Sequence, residues 1–329
     1  MTRYVLRRTA GAVLVLFVLS VLIYALFYLA PGDSAKLACG PRCNPAQIAQ
    51  VREQLGLNDS VFIQYGDFLK GIFVGRDYSA GTSVLHCDAP CLGRSYQSDQ
   101  QVTDLILERF PATVSLAVGA VVIMLVLGIA TGVVSALRRG GLTERLLTWL
   151  TLAGTGTPVF ILGLLLMMVV CAYLQWLPFP SYVPLTDSPE QWAWNMLLPW
   201  LTLGLFESAK YARLTRASTL ETLAEDHIRT FRAYGVSERA IVGRHALRGA
   251  VPSVIAITAI DFGFLLGGAV LTESLFGIPG LGKTLIDGIR QVDLPVVVGV
   301  VLTIGAAVVV ANVIADLLYA LADRRVTLQ

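Results

Sequence analysis

Six stretches of the chain are predominantly apolar for about twenty residues or more, the length a helix needs to cross the hydrocarbon core of a bilayer. They run over Thr9–Leu29, Pro111–Leu137, Leu146–Leu174, Trp194–Leu214, Val251–Leu271 and Pro295–Leu321. Inside lipid every backbone N–H and C=O must find a partner within the protein, so each stretch is expected to be helical. The fold class expected is an all-α integral membrane protein with six transmembrane helices. The composition agrees: only 15% of residues are charged and 55% are hydrophobic, with a mean hydropathy of +0.67. Soluble domains carry about 25% charged residues. The formal net charge of +2, without a dense basic patch, argues against nucleic-acid binding.

Charge placement sets the expected orientation, because Lys and Arg collect in cytoplasmic loops. Arg3, Arg7 and Arg8 precede the first stretch, and Arg138, Arg139 and Arg145 lie between the second and third. Eight basic residues from Lys210 to Arg248 lie between the fourth and fifth, and Arg324 and Arg325 follow the sixth. Alternating spans put all of these on one side, so both termini are expected in the cytosol. The first stretch is too long for a signal-peptide core and no small-residue cleavage site follows it, so it reads as an uncleaved span.

The segment 31–109 is then extracytoplasmic and forms a small cap. Within it Asn44 is placed to cap a helix over Pro45–Leu55, with Pro45 at the first helical position and Gly56 past the end. Four of the five cysteines lie here as two C-x-x-x-C pairs, Cys39 with Cys43 and Cys87 with Cys91. Four thiolates could hold zinc. An extracytoplasmic place favours disulfides instead. Three connectivities are open, and Pro41 and Pro90 inside the pairs favour the two local ones. Cys171, in the third stretch, reads as a small buried apolar residue.

Gly277 to Thr284, GIPGLGKT, matches the phosphate-loop pattern G-x-x-x-x-G-K-[ST]. That pattern cradles phosphate only where a buried strand leads into the glycine loop. Here an apolar span precedes it, the loop is expected outside, and no cytosolic segment is long enough for a nucleotide fold. The string is expected to be a tight turn before a short surface or re-entrant helix.

The loop 208–250 carries more information. Thr219–Tyr234 is expected to be one helix, with Gly235 at its end in a positive-φ conformation. Ser237 is expected to cap a second helix with Glu238 in its first turn, facing the positive end of the dipole. Positive-inside bias alone accounts for arginines here but not for a helix–glycine–helix bracket bearing Ile228, Phe231, Ile241 and Val242. A docking element for a cytosolic partner accounts for both. Asp261 and Asp316 are ionisable groups within spans, and Asn312 lies one turn before Asp316. Such groups usually face a cavity or a partner. Asp261, Glu273, Asn312 and Asp316 are the candidate pathway residues, against the plainer reading that they stabilise helix packing.

In order and spacing these residues resemble the permeases of bacterial dipeptide and oligopeptide ABC importers over nearly the whole chain. The resemblance rests on Leu6-Arg7-Arg8, Ala30-Pro31-Gly32-Asp33, Arg52 to Leu57, Gln64-Tyr65 and Phe68-Leu69. It continues through Glu108 to Thr113, Asp226 to Gly235, Ser237-Glu238-Arg239 and Arg244 to Arg248. Glu273, Phe276, Pro279 to Gly282, Asn312, Asp316, Tyr319 and Asp323 complete it. The sequence departs from the family at Phe231, where a small residue is usual, and at Arg324, where proline is common. The cysteine pairs and the stretch Ser79 to Ser98 look like an insertion.

The resemblance implies a multi-pass protein of the bacterial inner membrane, forming half of a pathway for di- or oligopeptides. It implies no ATP site or cofactor in this chain. It implies a second permease subunit, two cytosolic ABC ATPases and an extracytoplasmic substrate-binding protein as partners. Arg229, Arg232, Ala233, Gly235, Ser237, Glu238 and Arg239 are the residues implied to couple to the ATPases. The division implied is 1–30 for the N-terminus and first span, 31–109 for the cap, and 110–329 for the core with coupling loop 208–250. A similar permease for nickel or another small solute is the alternative. His86, His227 and His245 all fall outside the apolar stretches, which speaks against a metal path and against an intramembrane enzyme with a histidine base.

Overall fold

The computed structural model describes residues 2–29, 35–36, 43–54, 58–80 and 83–322. It is mostly helical. Helix α1 spans Thr2–Leu29, α2 Pro45–Gln54 and α3 Val61–Val74, and an antiparallel hairpin of β1 (Arg76–Ala80) and β2 (Ser83–Cys87) follows. Then come α4 (Val102–Leu137), α5 (Leu142–Gly156), α6 (Val159–Leu166) and α7 (Pro189–Ala224). The chain continues as α8 (Asp226–Ala233), α9 (Leu247–Gly268), α10 (Val270–Phe276), α11 (Leu281–Arg290) and α12 (Leu294–Ala322). The hairpin corrects the all-α expectation for the cap. Asn44 caps α2 as expected: its Oδ1 accepts from the Gln47 N–H at 2.8 Å, and Gln47 Oε1 accepts from the Asn44 N–H at 2.9 Å.

Three helices among the described residues contain apolar runs long enough to cross a membrane: Arg7–Ala25, Val102–Leu137 and Leu294–Ala315. A fourth arises if Ser253–Gly267 and Val270–Phe276, bent by 54°, count as one span. The stretch expected as one helix over Leu146–Leu174 is instead broken. Its helix α5 stops at Gly156, Thr157 is extended, and α6 restarts after Pro158. Proline disfavours helical backbone in the residue before it, so Thr157 is pushed out of the helix. A π-helical segment, Met167–Tyr173, completes α6. Helix α4 begins at Val102, ahead of the expected Pro111. Helix α7 runs unbroken past Glu207 and Lys210.

The core is the pairing of α4 with α7. Gly128 and Gly132 form a G-x-x-x-G pair on α4. A Cβ on Gly132 would lie 2.7 Å from the Ala212 carbonyl oxygen, and one on Gly128 would lie 3.1 Å from that of Ser208. Only glycine lets the two backbones approach so closely, and in lipid such contact drives helix association. At the other end Trp192 Nε1 donates to Ser115 Oγ at 2.8 Å and Trp200 Nε1 to the Ser115 carbonyl at 2.9 Å. Leu116, Ala120, Met196, Leu198, Leu203 and Phe276 fill the space between.

Candidate functional site

The bracket after α7 differs from its expected form. The helix expected over Thr219–Tyr234 is broken at Glu225, which is extended (φ −68°, ψ 149°) and separates α7 from α8. Helix α8 ends in a Schellman closure: the Gly235 N–H donates to the Arg232 carbonyl at 3.0 Å and the Val236 N–H to that of Phe231 at 3.1 Å. Gly235 has φ of 76°, the left-handed conformation expected of it. Ser237 takes the N-cap position, but its hydroxyl makes no capping bond; the Ser237 carbonyl instead accepts from the Ala240 and Ile241 N–H groups. A short turn, Glu238–Ala240, and a π-helical segment, Ile241–Ala246, then lead into α9.

Glu238 closes the elbow rather than only facing a helix dipole. Arg232 Nε donates to its Oε1 at 2.7 Å and Arg232 Nη2 to its Oε2 at 3.3 Å. The guanidinium holds the Glu238 carboxyl below the usual glutamate range. Arg229 pairs with Asp226 at 3.3 Å. Phe231 stacks on His245, with ring centroids 4.2 Å apart, and meets His227 edge-on at 5.9 Å. This contact braces α8 against the π-helical segment. Ile228, Ile241 and Val242 are buried beneath the bracket, while Ala233, Tyr234, Ser237 and Arg239 face outward.

The four candidate pathway residues do not form one site. Asp261 on α9 pairs with Lys210 of α7 at 2.5 Å and accepts from the Tyr211 hydroxyl at 2.7 Å. Lys210 also reaches Glu207 at 3.3 Å. Tyr211 is fully buried against Met124 and Val254, whereas the Lys210 side chain keeps 42% of its surface exposed. Charge inside a span is costly unless paired, and this cluster supplies the pairing. Asn312 lies elsewhere, in a cleft of about 540 Å³ between α1 and α12 that Arg7 and Arg8 also line. Asp316 lies on α12, and its side chain is outside the described residues.

Glu273 is fully buried and accounts for the phosphate-loop look-alike. Its Oε1 accepts from Thr113 Oγ1 at 2.7 Å and its Oε2 from the Lys283 backbone N–H at 3.0 Å. Thr113 Oγ1 in turn accepts from the Leu281 N–H at 2.8 Å. The free N–H groups that begin α11 would attract a phosphate in a nucleotide-binding loop. Here a carboxylate of the same chain takes that place and ties α4, α10 and α11 together.

Two other polar anchors went unread in the sequence. Asp293, 2% exposed, accepts from Ser95 Oγ and from the Tyr96 N–H at 3.2 Å, fastening the cap to the turn before α12. Glu144 accepts the Gly140 N–H at 2.5 Å and pairs with Arg216, which together hold its carboxyl below the usual range. No pattern marks Asp293 with Ser95, or Glu144 with Arg216, as partners, because they lie far apart along the chain. Cys87 and Cys91 form the local disulfide expected of them. Cys43 is also disulfide-bonded, whereas Cys39 and the expected Cys39–Cys43 pair lie outside the described residues. Cys171 is free and buried. Among the described residues no group of three or more His, Cys, Asp or Glu side chains is placed to hold a metal.

Residues 1–117 match the N-terminal family model of binding-protein-dependent transport system membrane components, and residues 126–328 match that of the inner membrane component. A putative peptide transport system permease protein of Brucella abortus (strain 2308) is 38% identical over 326 residues, 99% of each chain. The glutathione transport system permease protein of Escherichia coli (strain K12) is 35% identical over 97% of each. Among solved structures, the methionine ABC transporter in inward-facing conformations matches 68% of this chain and 98% of its own, with a TM-score of 0.55 at 18% identity. That likeness concerns the fold.

Proposed function

The chain belongs to the binding-protein-dependent transport system inner membrane components, the permeases of ABC transporters, and from that premise we propose that it forms half of the import pathway for di- or oligopeptides. The near-full-length likeness to proteins named as peptide permeases supports this substrate class. The arrangement proposed has six membrane crossings, both termini in the cytosol, the cap of 31–109 outside, and the core of 110–329 facing a second permease. The bent α9–α10 pair and the broken α5–α6 pair each count as one crossing.

The elbow at Gly235 carries the coupling reading. It presents the outward-facing side chains of Ala233, Tyr234, Ser237 and Arg239 on a closure held from within by the Arg232–Glu238 pair. Two cytosolic ATPase subunits, one against each permease, would bind it. Their nucleotide-driven motion would reach the spans through α8 and the unbroken π segment leading into α9. ATP shifts the transporter only by binding one state better than the other, so the elbow must sit differently on the ATPase in the two states. A binding protein would deliver substrate at the outer face. Asp261 with Lys210 is the charged pair proposed to border the path.

Copurification of the complex from its native membrane, with mass spectrometry of the bound solute, tests the substrate class. Peptides are expected; glutathione alone, itself a tripeptide and named for the Escherichia coli relative, would narrow that reading, whereas nickel would replace it. Labelling of engineered cysteines in intact cells tests the crossings. Sites at Ser188 and Gln291 should react from outside and sites at Arg139 and Arg239 should not; reaction at Arg239 would overturn the arrangement.

A further inference from the structure

The amphipathic helix α3 has no role in coupling or transport as described above, and its exposed face is unusually apolar. Phe62 is 88% exposed, Phe73 79%, Val74 67% and Ile63 54%. On a helical wheel Phe62, Gly66 and Phe73 fall within about 40° of one another. Lys70, Ile63, Val74 and Asp67, also exposed, follow over about the next 100°. The side of the helix beyond Phe62 in the other direction is the one that packs. Tyr65 and Phe68 lie against Tyr24 of α1, with ring centroids 5.4 and 5.9 Å apart. The Tyr65 hydroxyl sits 2.7 Å from Ser20 Oγ.

That packing fixes the depth of the helix. Ser20 and Tyr24 belong to the apolar run Arg7–Ala25, which is long enough to cross a membrane. Ser20 lies nine residues before Leu29, the end of α1, or about 13 Å below it at 1.5 Å rise per residue. A tyrosine side chain is shorter than that, so the Tyr65 backbone lies below the outer end of α1 and not above it in water. The C-terminal end of α3 is pinned there as well, since the Gly71 carbonyl accepts from the Cys91 N–H at 3.1 Å inside the disulfide-closed loop.

We propose that α3 is an interfacial helix, with Phe62 and Phe73 in the acyl chains of the outer leaflet and Asp67 and Lys70 among the headgroups. A helix whose exposed face is mostly apolar, with charged side chains that can reach the headgroups, takes this position at a bilayer surface. The partner is the phospholipid surface rather than the substrate-binding protein, because water-side docking would require the face to stand clear of the depth that Ser20 sets. Held there, α3 gives the cap a fixed height above the pathway.

The test uses the assembled complex in phosphatidylethanolamine–phosphatidylglycerol vesicles. Nitroxide labels are placed singly at Phe62→Cys, Phe73→Cys and Asp67→Cys, with Leu22→Cys as the lipid reference and Asp187→Cys as the aqueous one. Labels at 62 and 73 should collide with dissolved oxygen in preference to a water-soluble nickel chelate, as at position 22. The label at 67 should fall between the references. Adding the binding protein should leave the values at 62 and 73 unchanged. Labels at 62 and 73 that behave like position 187 would overturn the proposal. Protection of such water-exposed labels by the binding protein would assign the face to that protein instead.

Discussion

Replacing Glu273 should loosen the junction of α4, α10 and α11 far more than its single side chain suggests. The carboxylate is fully buried and accepts from Thr113 Oγ1 and the Lys283 N–H. The Lys283 N–H lies in the first turn of α11, where no carbonyl within the helix can serve it. Glu273→Ala leaves both donors without an acceptor in a site closed to solvent. Each orphaned donor costs about 1–3 kcal/mol, so a loss of about 3–5 kcal/mol at this junction is expected. Glu273→Gln should cost less, about 1–2 kcal/mol, since its oxygen keeps one bond while its NH₂ must face a donor. Hydrogen exchange of the Leu281 and Lys283 amides in the purified complex reads the effect. Opening made easier by about 3 kcal/mol speeds exchange about a hundredfold. If the alanine variant exchanges at the wild-type rate and melts at the wild-type temperature, the carboxylate is not the latch the geometry implies.

Gly235→Val should impair peptide uptake while leaving the protein inserted, because a β-branched residue at φ of 76° is strained by about 1–2 kcal/mol; Gly235→Asn, which tolerates that conformation, should retain more uptake and more ATPase in pull-downs. Lys283→Ala should leave ATP hydrolysis by the complex unchanged, since the anion site beside it is already filled by Glu273; lost nucleotide binding would refute this. Asp77 beside His86, at 2.5 Å, raises the imidazole above its ordinary value. The protonated pair therefore supports the hairpin fully below about pH 6.5, and that support is lost as pH rises through the raised value. NMR of ¹³C-histidine protein, assigned by His86→Gln, should give a midpoint above 6.5 that falls in Asp77→Asn; an unshifted midpoint would refute the pairing.

Local signals were legible in the sequence wherever one residue type dictates its own backbone. Gly235 after a helical run announced a left-handed closure, Asn44 and Pro45 announced a helix start, and Cys87 with Cys91 announced a short loop. Apolar length announced α1, α4 and α12, because lipid tolerates little else at that length. The family was legible too, from motifs spread along the chain in a consistent order. What pattern could not supply was partnership across space. Glu238 read as a dipole-facing residue and proved to be the clamp of Arg232, since the elbow folds back on itself. Asp261 read as a lone intramembrane acid until α7 and α9 were packed, which brought Lys210 and Tyr211 to it.

The breaks followed the same division. Pro158 was visible, but a long apolar run outweighs one proline when period and length are the only measures. The break between α5 and α6 is local, at Thr157 before Pro158, whereas α9 bends into α10 where the buried Glu273 reaches α11. The phosphate-loop string is the clearest case. Its residues by themselves determine a helix start with free N–H groups that attract a negative charge. Which charge arrives there is decided by the tertiary structure, because only the packed helices bring Glu273 and Thr113 to those N–H groups before any phosphate could.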